Sequence, residues 1–145
     1  MTKLATGLLI DPVAKSVGPI TIDPNMLSEL YLTLGCEVVE YVQLDDHNFL
    51  YVDENGLMRD NPEPFFQIDG FAPMAGRAIV FGIDRKNGKT TSSSITISDL
   101  WGVISFPDIE FVGMQNESGV EHDPIFGDVA TLSFTPVFKQ KGKPS

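Results

Sequence analysis

Residues that usually carry chemistry are scarce in this chain. It has one cysteine, Cys36, and two histidines, His47 and His122. No intrachain disulfide can form, which fits a reducing cytoplasm, and Cys36 reads as a small buried hydrophobe opening a strand. Bases are few: ten Lys and Arg stand against twenty Asp and Glu, for a formal charge of −10. A protein that grips nucleic acid directly needs the opposite balance, because phosphate contacts draw on Lys and Arg. Long apolar runs are missing too. The opening run Leu4–Ile10 stops at Asp11-Pro12, too short for a transmembrane helix and, without a small-residue cleavage pattern, a poor signal peptide. No phosphate-cradling glycine motif occurs, and Ser92-Ser93-Ser94 lacks a nucleophile elbow.

What is present is an ordinary globular composition, 42% hydrophobic and 21% charged over 145 residues. That length predicts one domain, over 1–138, with a basic flexible tail at 139–145. Leu4–Ile10 and Val17–Ile22 read as strands around a turn. Asp23-Pro24 then opens a helix over about 24–34, with Asp23 as its cap and Gly35 as its left-handed terminator. Met26, Leu27, Leu30, Tyr31 and Leu34 give it one apolar face. Glu37–Leu44 and Phe49–Asp53 read as strands. Asn55-Gly56 reads as a tight hairpin turn with Leu57 and Met58 returning as a short strand. Phe65, Phe66 and Ile68 pack as a short helix or an apolar plug. Gly70–Gly76 is a loop, and Arg77–Ile83 is apolar enough for a central strand. A second short helix spans about 98–105, capped by Ser98 and weakened by Gly102. Ile109–Met114 and Val129–Phe138 are strands around a polar loop, 115–128. The fold class is α+β, mostly antiparallel sheet, because strands do not alternate with long helices.

The acid is unevenly spread. Glu37–Asp69 holds nine carboxylates and one base, Arg59, so that span carries −8 of the −10. Solubility alone accounts for many acidic surfaces, but a basic partner is the functional reading of this one. The turn positions Asp45, Asp46, Asp53, Glu54 and Asp60 are its exposed candidates.

Four pieces of the chain occur in a familiar order. They are a hairpin ending in Ile22-Asp23-Pro24, a helix ending at Gly35, Tyr51–Gly56 (YVDENG) followed by Asn61, and Ala75–Asp84 (AGRAIVFGID). Together they resemble a small uncharacterised family, a domain of unknown function, common in bacteriophages, plasmids and gut bacteria. Members tend to read DE-x-G, then Asn, then a G-D-x-hydrophobic strand; here Arg77 stands where Asp is frequent. The resemblance covers roughly residues 4–100, and the part after Pro107 looks like an extension. It brings no catalytic residues. It implies a phage or mobile-element accessory protein in a bacterial host cytoplasm.

Other chemistry is thinner. Asp53-Glu54-Asn55 lacks the alternating ligands and distal Glu of a calcium loop. His47 beside Asp45 and Asp46, and His122 between Glu121 and Asp123, are the pieces of a metal-dependent hydrolase, the weakest reading. The leading expectation is a non-enzymatic protein with no cofactor and no metal. It binds a host protein with a basic surface, a defence or nucleic-acid-handling factor, through the acidic segment. The alternative is a protein that sequesters a small molecule or nucleotide-like signal in a pocket at a homo-oligomer interface. It would use the amides of the Gly70–Gly76 loop with Gly76, Arg77, Arg85 and Lys86.

Overall fold

A computed structural model describes residues 4–36, 38–54, 56 and 64–140. Leu57-Met58, Asn55 and Asp60 therefore lie outside the described residues. The chain divides into two compact units, Met1–Pro107 and Asp108–Ser145.

The first unit is built on β7 (Ala78–Ile83), which pairs on one side with β1 (Ala5–Asp11) and on the other with β4 (Asn48–Asp53). Outside these lie β2 (Ser16–Ile22) and β3 (Val39–Gln43), giving the order β2-β1-β7-β4-β3. A two-residue strand, β8 (Thr90–Thr91), pairs the far end of β7, and every pairing is antiparallel. The sequence-predicted central strand is thus central, and its side chains alternate between two cores. Ala78 and Val80 join Leu8, Ile10, Leu50, Val52, Phe66, Ile68 and Leu100 on one face. Ile79 and Phe81 join Ala5, Leu30, Leu34, Cys36 and Phe49 on the other.

Helix α1 (Leu27–Leu34) covers the second face through Leu30 and Leu34. It starts three residues later than its sequence signals. Asp23 and Pro24 form a turn, with the Met26 N–H on the Asp23 carbonyl at 3.1 Å. Met26 is the N-cap residue and offers no side-chain bond. The Asp23 carboxylate accepts the Asn25 N–H instead, and the Glu29 carboxylate reaches back to the Asp23 N–H. Asp23-Pro24 is a turn signal here, and Asp23 is not the helix cap. Gly35 does terminate the helix, at φ 68°.

The first face is covered by a small sheet, β6-β5-β9, made of β5 (Phe65–Ile68), β6 (Met74–Ala75) and β9 (Ile104–Ser105). Phe65, Phe66 and Ile68 are therefore strand residues rather than a helix or plug. Helix α2 (Ile97–Trp101) is shorter than expected and is capped by the Thr96 hydroxyl on the Asp99 N–H, not by Ser98. It stops at Gly102 because Ile104 and Ser105 pair with β5. Gly56 is buried, with space for a Cβ only 3.0 Å from the Ala75 carbonyl oxygen. Close approach is thus one demand for glycine there.

The second unit is a long ribbon of β10 (Ile109–Asp123) and β11 (Gly127–Gln140), with the turn at 124–126. The polar stretch read as a loop, 115–128, is mostly strand. Its polarity reflects exposure, not irregular backbone. Lys139 closes the ribbon on Glu110 at 3.0 Å, and 141–145 lie outside the described residues.

Gly7 marks where β1 and β7 press closest. A Cβ there would meet the Val80 carbonyl oxygen at 2.6 Å and side-chain atoms of Ile79 and Phe81 at 2.9 Å. Gly7→Ala is expected to lower unfolding free energy by about 1–3 kcal/mol through overpacking. A denaturant midpoint equal to that of the parent would contradict this packing of β1 on β7.

Candidate binding surface

The hairpin of β3 and β4 is closed by Asp45–His47. Asp45 Oδ1 accepts the N–H of His47 at 2.7 Å and of Asn48 at 2.8 Å, and the Asn48 side-chain amide reaches both carboxylate oxygens. Burial pushes the Asp45 carboxyl up, but the bonds from His47 and Asn48 outweigh it and hold the group below its ordinary value. Asn48 is buried and acts as a hub. Its amide also donates to Ser94 Oγ at 2.8 Å and accepts the Ser94 N–H at 3.0 Å. The serine run is explained by structure: Ser92 Oγ accepts the Thr6 N–H, Ser93 Oγ bonds both backbone groups of Ile95, and Ser94 meets Asn48. Nothing in the sequence linked Asn48 to Ser94, since the pair is 46 residues apart.

The five acidic candidates are not gathered at one point. Asp45 and Asp46 sit at the closed end of the hairpin, while Asp53 is the last residue of β4, half-buried, and Glu54 follows it. Six strand residues separate these ends by about 20 Å. Asp60 lies outside the described residues. Glu40, which sequence reading left out because it falls inside a strand, is exposed on β3 between the two ends. The carboxylates therefore line the hairpin lengthwise. Asp46 faces Arg85: the Arg85 Nε–H donates to the Asp46 carbonyl oxygen, and a guanidinium nitrogen lies 3.6 Å from the carboxylate.

The alternative ligand residues do not converge. Gly76 and Arg77 precede β7, whereas Arg85 and Lys86 follow it, again about 20 Å apart by strand rise. Arg77 lies 3.6 Å from Asp11. The Gly76 N–H donates to the Pro64 carbonyl, and the Phe71 N–H to that of Ile68, so these loop amides are already engaged within the fold. A groove of about 660 Å³ does exist elsewhere, lined by Asn25, Asp84, Asn87, Lys89, Thr90 and Thr91 among others. Beside it the Thr90 hydroxyl bonds the hydroxyl of Tyr51, whose proton is held tightly, first by burial and then by neighbouring Tyr41. Tyr51 is stacked edge-on with Phe49 and Phe81, so it is anchored as a packing residue.

His47 gives its backbone groups to Asp45 and Ile83. His122 lies in the other unit, with Nδ1 3.2 Å from Asp128. Among the described residues no group of three or more His, Cys, Asp or Glu is placed to hold a metal ion, and no helix is long and apolar enough to cross a membrane.

A family model described as a domain of unknown function, DUF3846, matches residues 5–102. The match covers nearly all of the first unit and none of the β10–β11 ribbon. No curated protein and no solved structure matches the chain.

Two outcomes test this description of the hairpin end. Asn48→Ala should cost about 1–3 kcal/mol of stability, because it strands the Ser94 N–H and part of the Asp45 carboxylate. Asp45, with a lowered folded pKa, contributes stability above the ordinary Asp range that is lost as pH falls through the folded value. Asp45→Asn should therefore be less stable than the parent at pH 7 and converge with it in strong acid. A constant difference across an acid titration of thermal midpoints would contradict the assignment.

Proposed function

The chain belongs to the DUF3846 family, a domain of unknown function, and we propose that it is a non-catalytic binding protein. Its partner is a protein with a basic surface, engaged along the acidic β3–β4 hairpin. One observation carries this reading. From Val39 to Glu54 the chain holds five carboxylates and neither Lys nor Arg, and that segment forms one margin of the sheet, with Glu40, Asp46 and Glu54 exposed. Carboxylates arrayed along a line attract a basic groove at long range and set its orientation on contact. In this reading the protein is an accessory factor of a phage or plasmid, and the partner is a host protein of defence or nucleic-acid handling in the bacterial cytoplasm.

A second reading, capture of a small polar molecule, draws on the groove at Asn25 and Lys89. It differs in the residues it needs, since it makes Lys89 important and the hairpin acids irrelevant.

The decisive variant is the triple reversal Glu40→Lys, Asp46→Lys and Glu54→Lys. Asp45 is left in place because it holds the turn. As exposed substitutions these should leave the fold intact. In capture from bacterial lysate at graded salt, the parent should retain basic proteins that high salt releases and that the triple variant fails to retain. Partners held equally by both proteins and at every salt concentration would overturn the acidic-surface reading. A metabolite seen by native mass spectrometry, and lost on Lys89→Ala, would establish the second one.

A further inference from the structure

We propose that the partner docks as an extended basic segment that adds a strand to the free edge of β3. This inference rests on the acidic-surface reading and states the form in which the basic partner binds.

The first ground is the hydrogen-bonding pattern. The Leu44 N–H bonds the Asn48 carbonyl at 3.0 Å, and the Glu54 N–H bonds the Val38 carbonyl at 3.1 Å. In the register Val39↔Asp53 to Gln43↔Phe49, bonded and non-bonded pairs alternate along an antiparallel ladder. Val38, Glu40, Val42 and Leu44 therefore turn their backbone groups toward β4. Val39, Tyr41 and Gln43 turn theirs outward, away from the sheet. Among the described residues no strand pairs with that side. Among the described residues it offers three donors and three acceptors in a row, the requirement for strand addition.

The opposite margin of the sheet differs. There β2 carries Pro19, which has no N–H to give, a common means of blunting an edge. The exposed side of β3 has no proline.

The second ground is charge. Glu40 projects from β3 itself, Asp45 and Asp46 stand at one end of the edge, and Asp53 and Glu54 at the other. A second copy of this chain pairing there would bring like charges together, which disfavours self-association. An incoming strand with lysine or arginine at alternate positions would meet opposite charge along the length of β3. The half-exposed Tyr41 ring, stacked on Phe49 at 4.5 Å, gives such a strand an apolar platform beside the polar ladder.

The probe is a peptide of alternating lysine and valine, seven residues long, compared with the same peptide N-methylated at every amide. Both carry the same charge, but only the first can donate to a ladder. The protein is used as the full chain, as parent, as the Glu40/Asp46/Glu54→Lys triple variant, and as Gln43→Pro. Gln43→Pro removes an outward donor while sparing the bonds to β4. The expected result is at least ten-fold weaker binding on N-methylation and a comparable loss in Gln43→Pro and in the triple variant. The methylated peptide keeps the test independent of how well Gln43→Pro folds. Equal binding of both peptides, with loss only in the triple variant, would overturn strand addition and leave the acidic-surface reading standing. Absence of binding by the unmethylated peptide at low salt, or binding indifferent to charge reversal, would overturn both. A dimer in sedimentation that Gln43→Pro dissolves would give the edge to a second copy and overturn the proposal.

Discussion

Everything in the first unit depends on β7 being buried on both faces. Ala78 to Phe81 are all fully buried, and Ala78, Ile79 and Val80 are paired on both flanks. A strand in that position must be apolar without interruption, and it obliges the chain to build a cover on each side. Helix α1 is one cover, and the small sheet with α2 is the other. Each large apolar side chain so enclosed contributes about 1.5–3 kcal/mol of burial. The glycines at the tightest points follow from the same constraint. Gly7 lets β1 approach β7, and Gly82 leaves room for the Ser92 carbonyl, which a Cβ would overlap.

The proposed binding surface is what this arrangement leaves over. A sheet with two covered faces still has two margins. One is blunted by Pro19, and the other is the β3–β4 hairpin with its carboxylates. The hairpin is rigid where it needs to be. Its turn is held by Asp45 and by the Asn48–Ser94 pair beside it, and its aromatic face by ring contacts linking Tyr41, Phe49, Tyr51 and Phe81. A pre-formed edge loses little conformational freedom on binding, so the interaction energy of each charge and amide is retained in the affinity.

Much of this frame was legible in the residues. The run Ala78–Ile83 announced a central strand by being apolar at every alternate position of both parities. Gly35 announced the end of α1. The α+β class, the antiparallel pairing and the family resemblance over the first hundred residues all hold. The misreadings share a cause: local signals do not say what a segment will pair with. Asp23-Pro24 has the chemistry of a helix cap and of a turn alike, and the turn prevails because Glu29 folds back onto the Asp23 N–H. Phe65–Ile68 became a strand through partners 8 to 10 and 36 to 38 residues away, Met74-Ala75 and Ile104-Ser105. The ribbon after Pro107 is held by a long antiparallel register, with Phe111 and Phe138 in ring contact across it. Of the candidate site, the acidic character was visible, but Glu40 was hidden inside a strand pattern, and the structural duty of Asp45 could not be read without Asn48 and Ser94 in place.

Strand addition requires β3 to be an open, preformed edge, and site-resolved amide hydrogen exchange of the unliganded protein reads this residue by residue. Glu40 and Val42, whose N–H groups face β4, should be protected, while Val39, Tyr41 and Gln43 exchange rapidly. Uniform protection along β3 would show that its outer side is already covered and unable to receive a strand.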